Sequence, residues 1–205
     1  MNLPSDSYRT LDKPSEPAVF KEKKSNFYAY AFPLANEEEV KPIIDELRRK
    51  HANASHFCYA WQLGIEHQTY RANDDGEPNN TAGMPIYGQI KSFELTNILV
   101  VVARVYGGTK LGVGGLISAY RTSAQMVLET SSIIEKKQKT HFRLFFEYTE
   151  MDKVMRVLKQ HRAQIISQHM EGNCEFHIAI RKNEANNIRT KFEAMHTIIL
   201  KTANA

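Results

Sequence analysis

Polar and apolar positions change period several times along the chain, and each change predicts an element. In AVFKEKKSNFYAYAFPLA, Phe27, Ala29 and Ala31 alternate with Tyr28, Tyr30 and Phe32, which predicts two strands around Lys23-Lys24-Ser25. Helical spacing follows: Val40, Ile43, Ile44 and Leu47 share one face of a segment running to Arg49. Asn36 with Glu39 makes a capping pattern that opens it, and Pro42 should kink it or shorten its first turn. HFCYAWQLG alternates strictly, with His56, Cys58, Ala60 and Gln62 on one face and Phe57, Tyr59, Trp61 and Leu63 on the other. QTYRAND reads as the next strand and Met84 to Phe93 as a helix. The run Ile98 to Ala103 is unbroken, apolar and too short for a helix, so it predicts a central strand buried on both faces. After GGTKLGVGG, the positions Leu116, Ile117, Tyr120, Ala124, Val127 and Leu128 return to helical spacing.

Beyond a helix ending near Ser132, EKKQKT reads as a polar linker, and the remainder has a complete pattern of its own. HFRLFFEYTE, AQIISQHMEG, CEFHIAIR and TIILKT read as strands, with helices over MDKVMRVLKQHR and NEANNIRTKFEAMH. Met151, Val154, Met155 and Leu158 line the first helix, Ile188, Phe192 and Met195 the second, and Gly172-Asn173 is a hairpin turn signal. The order β-α-β-β-α-β is the ferredoxin-like split motif. The expected fold is therefore α+β in two domains: a loose proline-rich segment over residues 1–16, an N-terminal α/β domain over 17–136, and a ferredoxin-like βαββαβ domain over 137–205.

Eight of the ten glycines lie between Asn73 and Leu116, at 76, 83, 88, 107, 108, 112, 114 and 115. Arg104 and Tyr106 leave the central strand on the face of Val100 and Val102, and a charge leaving a buried strand needs a partner. The chain then turns through Gly107, Gly108, Lys110, Gly112, Gly114 and Gly115 into a helix. Strand, glycine turn and helix start form anion-binding geometry, although the same glycines also serve a tight turn with close helix packing. Two phosphate motifs are excluded. Val113 and Gly114 stand where a P-loop requires lysine and serine or threonine, and Gly112-Val113-Gly114 lacks the third glycine of a dinucleotide fingerprint.

Upstream, NDDGEPNNTAG reads as an exposed turn-rich loop with three carboxylates, Asp74, Asp75 and Glu77, within four residues. Such a cluster can bind a divalent cation, supply an acid and a base, or pair with Arg104. No metal-loop spacing is matched, so no metal ligand, cofactor or catalytic residue is assigned. His56 joins the cluster only if the fold brings the loop beside it.

DDGEP followed by TAGMP, then VVVARVYGG and LGVGGLISAY, with HFCYAW upstream, resembles the IMPACT/YigZ family over most of residues 17–130. Val105 stands where the family usually has an aromatic after the arginine, and Asn80 replaces a glycine common in the acidic loop. The resemblance implies an N-terminal domain similar to domain IV of elongation factor G and a ferredoxin-like C-terminal domain similar to that factor's last domain. It also implies a link to translation. Eukaryotic relatives act by binding a regulator of a translation-control kinase, through an additional partner-binding domain not seen in this sequence. No catalytic residue set is established for the family.

Charge sharpens this expectation. Residues 1–136 carry 15 Lys/Arg against 16 Asp/Glu, a net of −1, whereas residues 137–205 carry 12 against 7, a net of +5. The surplus raises the prospect of an acidic partner. Lys153, Arg156 and Lys159 lie off the apolar stripe of their helix, as nucleic-acid contacts or as a solvated face. No run of about 18 apolar residues suggests a membrane span, and the N-terminus lacks a signal peptide's apolar core. Cys58 and Cys174 suit two reduced thiols, so a cytoplasmic protein is expected. Two readings remain: a non-catalytic module binding RNA, the ribosome or a translation factor, or a small metal-assisted hydrolase built from His56, Asp74, Asp75 and Glu77.

Overall fold

The structure, a computed structural model, describes residues 6–203; the first five residues of the segment expected to be loose lie outside the described residues. The chain forms two compact units, Tyr8–Lys136, and Lys137 onward together with residues 6 and 7.

The larger unit contains β1 (Ser7–Leu11), β2 (Ala18–Glu22), β3 (Ser25–Pro33), α1 (Val40–Lys50), β4 (His56–Leu63), β5 (Thr69–Asn73), α2 (Gly83–Ser92), β6 (Ile98–Val105), α3 (Gly112–Glu129) and β7 (Ile133–Lys137). Its sheet has the order β2-β3-β6-β4-β5, with every neighbouring pair antiparallel. The apolar run makes up the first six residues of β6, and Ile98 to Ala103 are all fully buried. One face, with Phe27, Ala29, Cys58, Ala60, Val100 and Val102, packs against α2 and α3. The aromatic face of β4, with Phe57 and Trp61, packs with Leu99 and Val101 against Val40, Ile44 and Leu47 of α1. The sheet is thus covered on both sides, as the sequence of β6 requires.

Local details of this part of the chain depart from expectation in three places. The segment expected to be loose contains β1, because Leu11 is fully buried in the core under α2 and α3. The stretch expected to be a linker is strand: β7 ends at Lys137 and β8 opens at Lys139, and β7 pairs with β1. Backbone pairing makes a strand there whatever the polarity of its side chains. Before α1, Asn36 makes no side-chain cap; Glu39 instead reaches back to accept the Ala35 N–H at 3.0 Å, and residues 37–39 form a 3-10 turn ahead of Pro42.

The second unit runs β8 (Lys139–Phe146), α4 (Met151–Gln160), β9 (Gln164–His169), β10 (Cys174–Arg181), α5 (Ala185–Glu193) and β11 (Ile198–Ala203). Its four-stranded antiparallel sheet has the order β11-β8-β10-β9. Even-numbered side chains of β8 and β10, with Ile198, pack against Val154, Val157 and Leu158 of α4 and Ile188 and Phe192 of α5. Met155, expected on the inner stripe, stands 41% exposed because Val157 takes the inward place. Asp6 pairs with Arg181 at the end of β10, at 2.9 and 3.0 Å. No helix among the described residues is long and apolar enough to cross a membrane.

Candidate functional site

The residues singled out at both ends of the Asn73–Leu116 stretch meet through one buried ion pair. Arg104, near the end of β6, donates through Nη1 to Glu77 Oε1 at 2.5 Å, and the two side chains are only 6% and 5% exposed. The same oxygen accepts the Tyr120 hydroxyl of α3 at 2.8 Å. Arg104 Nη2 lies 3.5 Å from Ser25 Oγ, which also accepts the Gly107 N–H at 3.2 Å. The guanidinium sits over the Phe27 and Tyr106 rings, 5.4 and 5.5 Å from their centroids. Strand, acidic loop, β2–β3 hairpin and α3 are therefore tied at one point.

Gly107 is needed there for close approach: a Cβ at that position would lie 2.0 Å from the Lys24 carbonyl carbon and oxygen in the hairpin turn. Gly112, at the start of α3, holds a positive φ of 75°. By contrast, a Cβ at Gly114 would meet nothing, so packing does not explain that glycine.

The acidic loop is not an open cluster of carboxylates. Asp74 Oδ1 accepts the Ala82 and Gly83 N–H groups at 2.9 Å each, and its Oδ2 accepts the Asn80 N–H at 2.8 Å, so this residue caps the start of α2 from a distance. Asp75 accepts the Phe57 N–H at 2.6 Å and pairs with Arg48 of α1 at 3.0 Å. Asn80 adopts a φ of 61°, a conformation asparagine tolerates better than most residues, which accounts for its standing where a glycine is common.

His56 does come beside the loop. Its Nδ1 lies 2.8 Å from the Asp75 carbonyl oxygen, which only accepts, so Nδ1 carries the proton. His56 and Glu77 line a cleft of about 470 Å³ together with Pro78, Arg104, Tyr106, Lys110 and the first turn of α3. Asp74 and Asp75 do not line it. The grouping of His56 with all three carboxylates therefore does not form one site: two of the four are consumed by backbone amides and Arg48. Among the described residues no three His, Cys, Asp or Glu side chains are placed to hold a metal ion. The cleft lining contains no serine, threonine or cysteine that would act as a nucleophile.

What the cleft does offer is the start of α3. The first turn, Gly112 to Gly115, has no side-chain cap and no acidic residue, so the helix presents its amide groups and positive end beside Lys110. Tyr106 and Val113 are 46% and 58% exposed and give the mouth an apolar rim. An anion carried on a partly apolar partner suits this lining. In the other unit, Lys153, Arg156 and Lys159 lie on α4; Lys153 pairs with Glu150 at 3.0 Å, while Arg156 and Lys159 line a groove with Met155 and Ile165.

Three contributors escaped sequence reading. Tyr120 looked like an ordinary member of the apolar stripe, although a buried phenol needs a partner. Ser25 carried no signal. Arg48, in the last turn of α1, fixes Asp75 and lies 4.7 Å above the Phe57 ring.

The Impact N-terminal domain family matches residues 23–128. The IMPACT family member YvyE of Bacillus subtilis (strain 168) is 33% identical over 180 residues, spanning 88% of this chain and 82% of that protein. The IMPACT family member YigZ of Escherichia coli (strain K12) is 31% identical over 160 residues, 77% of this chain and 78% of that protein. A solved crystal structure of a hypothetical protein, 27% identical, aligns over 97% of this chain and 98% of that one with a TM-score of 0.72.

The buried pair generates a stability prediction. Arg104→Ala strands the Glu77 carboxylate and should cost about 3–5 kcal/mol, whereas Arg104→Met with Glu77→Leu should recover much of that loss. Urea unfolding of the three proteins measures both. A second prediction concerns pH. Burial pushes the Cys58 thiol and the Tyr120 hydroxyl well up from values near 9 and 10. Above about pH 9 the unfolded chain binds fewer of these protons than the folded one, so the contribution is full below that pH and is lost as pH rises. The loss should approach about 1.4 kcal/mol per pH unit for each group, and Tyr120→Phe should flatten the decline above pH 10.

Proposed function

We propose, from the fact that the chain belongs to the IMPACT family, that it is a non-catalytic, translation-associated regulator that binds RNA, on the ribosome or free. The observation that carries this reading is the orientation of the cleft: its acidic neighbours are turned inward onto amides and Arg48, and the uncapped start of α3 with Lys110 is turned outward. That arrangement suits a phosphate, and it turns Asp74 and Asp75 away from the cleft, where a metal-assisted hydrolase would need them. The surplus of five positive charges after residue 136 gives a second electrostatic contribution, with Arg156 and Lys159 free of the pairing that holds Lys153.

Finer likenesses belong to the same proposal: an N-terminal unit resembling domain IV of elongation factor G, and a ferredoxin-like second unit. The second is supported by the chain order β-α-β-β-α-β and by a sheet in which the first and third strands are central. The roles of Arg104, Tyr106, Gly107 and Gly108 are then to position the turn, and those of Gly112, Gly114 and Gly115 to expose amides.

Sedimentation with ribosomes and fluorescence titration against a structured RNA at two salt concentrations test the reading. Affinity should fall steeply with salt, by a slope close to the number of phosphates neutralised. Lys110→Glu should weaken binding roughly tenfold, and the triple variant Lys153→Glu, Arg156→Glu, Lys159→Glu more than that, with unchanged thermal unfolding. Absence of binding at low salt, together with a divalent-metal-dependent hydrolysis lost in Asp75→Asn, would overturn it.

A further inference from the structure

The four-stranded sheet of the second unit has two faces, and helices cover only one. Even-numbered residues of β8 and β10 point into the core under α4 and α5, so the odd-numbered residues form the other face. Strand registers place these residues in rows. Ile199, Phe145 and Glu175 lie side by side across β11, β8 and β10. The next row is Lys201, Arg143 and His177.

The composition of this face is unlike an ordinary solvated sheet. Ile199 of the edge strand β11 is 58% exposed beside a half-buried Phe145 of the central strand β8, an apolar pair on this face. Around it stand Lys201, with its Nζ 5.4 Å from the centroid of the Phe145 ring, and Arg143. Lys139 and Arg181 lie further along the same face, the latter tied to Asp6. Glu175 is the only carboxylate at the outward positions of β8, β9, β10 and β11, and it pairs with Arg143 at 3.2 Å through an exposed contact worth little. His141 and His177, 3.1 Å apart, complete the two central strands with flat, nitrogen-bearing rings.

We propose that this open sheet face binds single-stranded RNA, with the Phe145 ring as a stacking platform for an unpaired base and Lys201 and Arg143 as phosphate contacts. The assignment rests on the RNA-binding reading above and adds a surface to it, on the side of the sheet away from α4. An aromatic ring on a central strand of an uncovered four-stranded sheet offers a base its π-face, which a paired duplex does not free. Lys201 already covers that ring and is displaced along it when a base stacks, so its charge remains beside the incoming phosphate. Arg143 loses only an exposed partner when it turns to a phosphate.

Fluorescence anisotropy of the full chain with a labelled oligouridylate of about twelve nucleotides, with a duplex of equal length as control, tests the surface. Phe145→Leu should weaken single-strand binding roughly tenfold and duplex binding little, whereas Phe145→Tyr, which keeps a ring, should restore it. Lys201→Gln with Arg143→Gln, both exposed, should weaken binding and reduce its salt slope by about 1.4 without altering the far-ultraviolet circular dichroism. Wild-type affinity retained in these variants would overturn the assignment while leaving the broader reading intact. A wild-type protein that binds no RNA would overturn both. Displacement of the oligonucleotide by poly-glutamate as effectively as by unlabelled oligouridylate would give the face to an acidic protein segment instead.

Discussion

A guanidinium that is almost wholly buried is tolerated only where its charge is met, and Arg104 is met by Glu77. That requirement fixes more than one side chain. Glu77 belongs to the acidic loop, Tyr120 to α3 and Ser25 to the β2–β3 hairpin, so satisfying Arg104 places three segments that are far apart in sequence. Buried pairs are poor sources of net stability compared with apolar packing, and their value here lies in position. With the loop anchored, Asp74 reaches the start of α2 and Asp75 reaches β4 and Arg48, while the start of α3, beside the cleft, has no side-chain cap.

Much of this was legible from the sequence. Period-two alternation located β3 and β4 and assigned their faces, because an inward-facing residue on a covered sheet cannot also be solvated. The run 98–103 announced a strand with two covered faces, and α1 on one side with α2 and α3 on the other supply the covers. That Arg104 would need a partner followed from burial, and the acidic loop was one candidate to supply it. Which carboxylate it takes did not, because Asp74, Asp75 and Glu77 differ only in the turn geometry that aims them.

Much of what escaped reading has one cause: backbone groups act as partners, and sequence records only side chains. Asp74 and Asp75 looked like a potential metal or acid–base cluster, yet their oxygens are taken by amides of Asn80, Ala82, Gly83 and Phe57. The lysine-rich stretch around residue 136 looked like a linker, yet β7 pairs through its backbone with β1. The outward face of the second sheet was equally hidden, because Arg143, Phe145, Ile199 and Lys201 become neighbours only through strand register. The two proposed surfaces use different devices: helix amides in a cleft in one unit, and a ring among cations on a sheet face in the other.

The claim on which the account turns is that the anchored loop leaves the α3 amides, and not the carboxylates, to meet a ligand. Backbone amide spectra of the isotope-labelled chain, recorded during titration with a structured RNA at low salt and then with magnesium, test it most directly. The account predicts that Val113, Gly114 and Gly115 shift with RNA and return when salt is raised, while Ala82 and Gly83, bonded to Asp74, hold still in both titrations. Unmoved α3 amides in the presence of bound RNA, or magnesium shifts centred on Asp74 and Asp75, would contradict it.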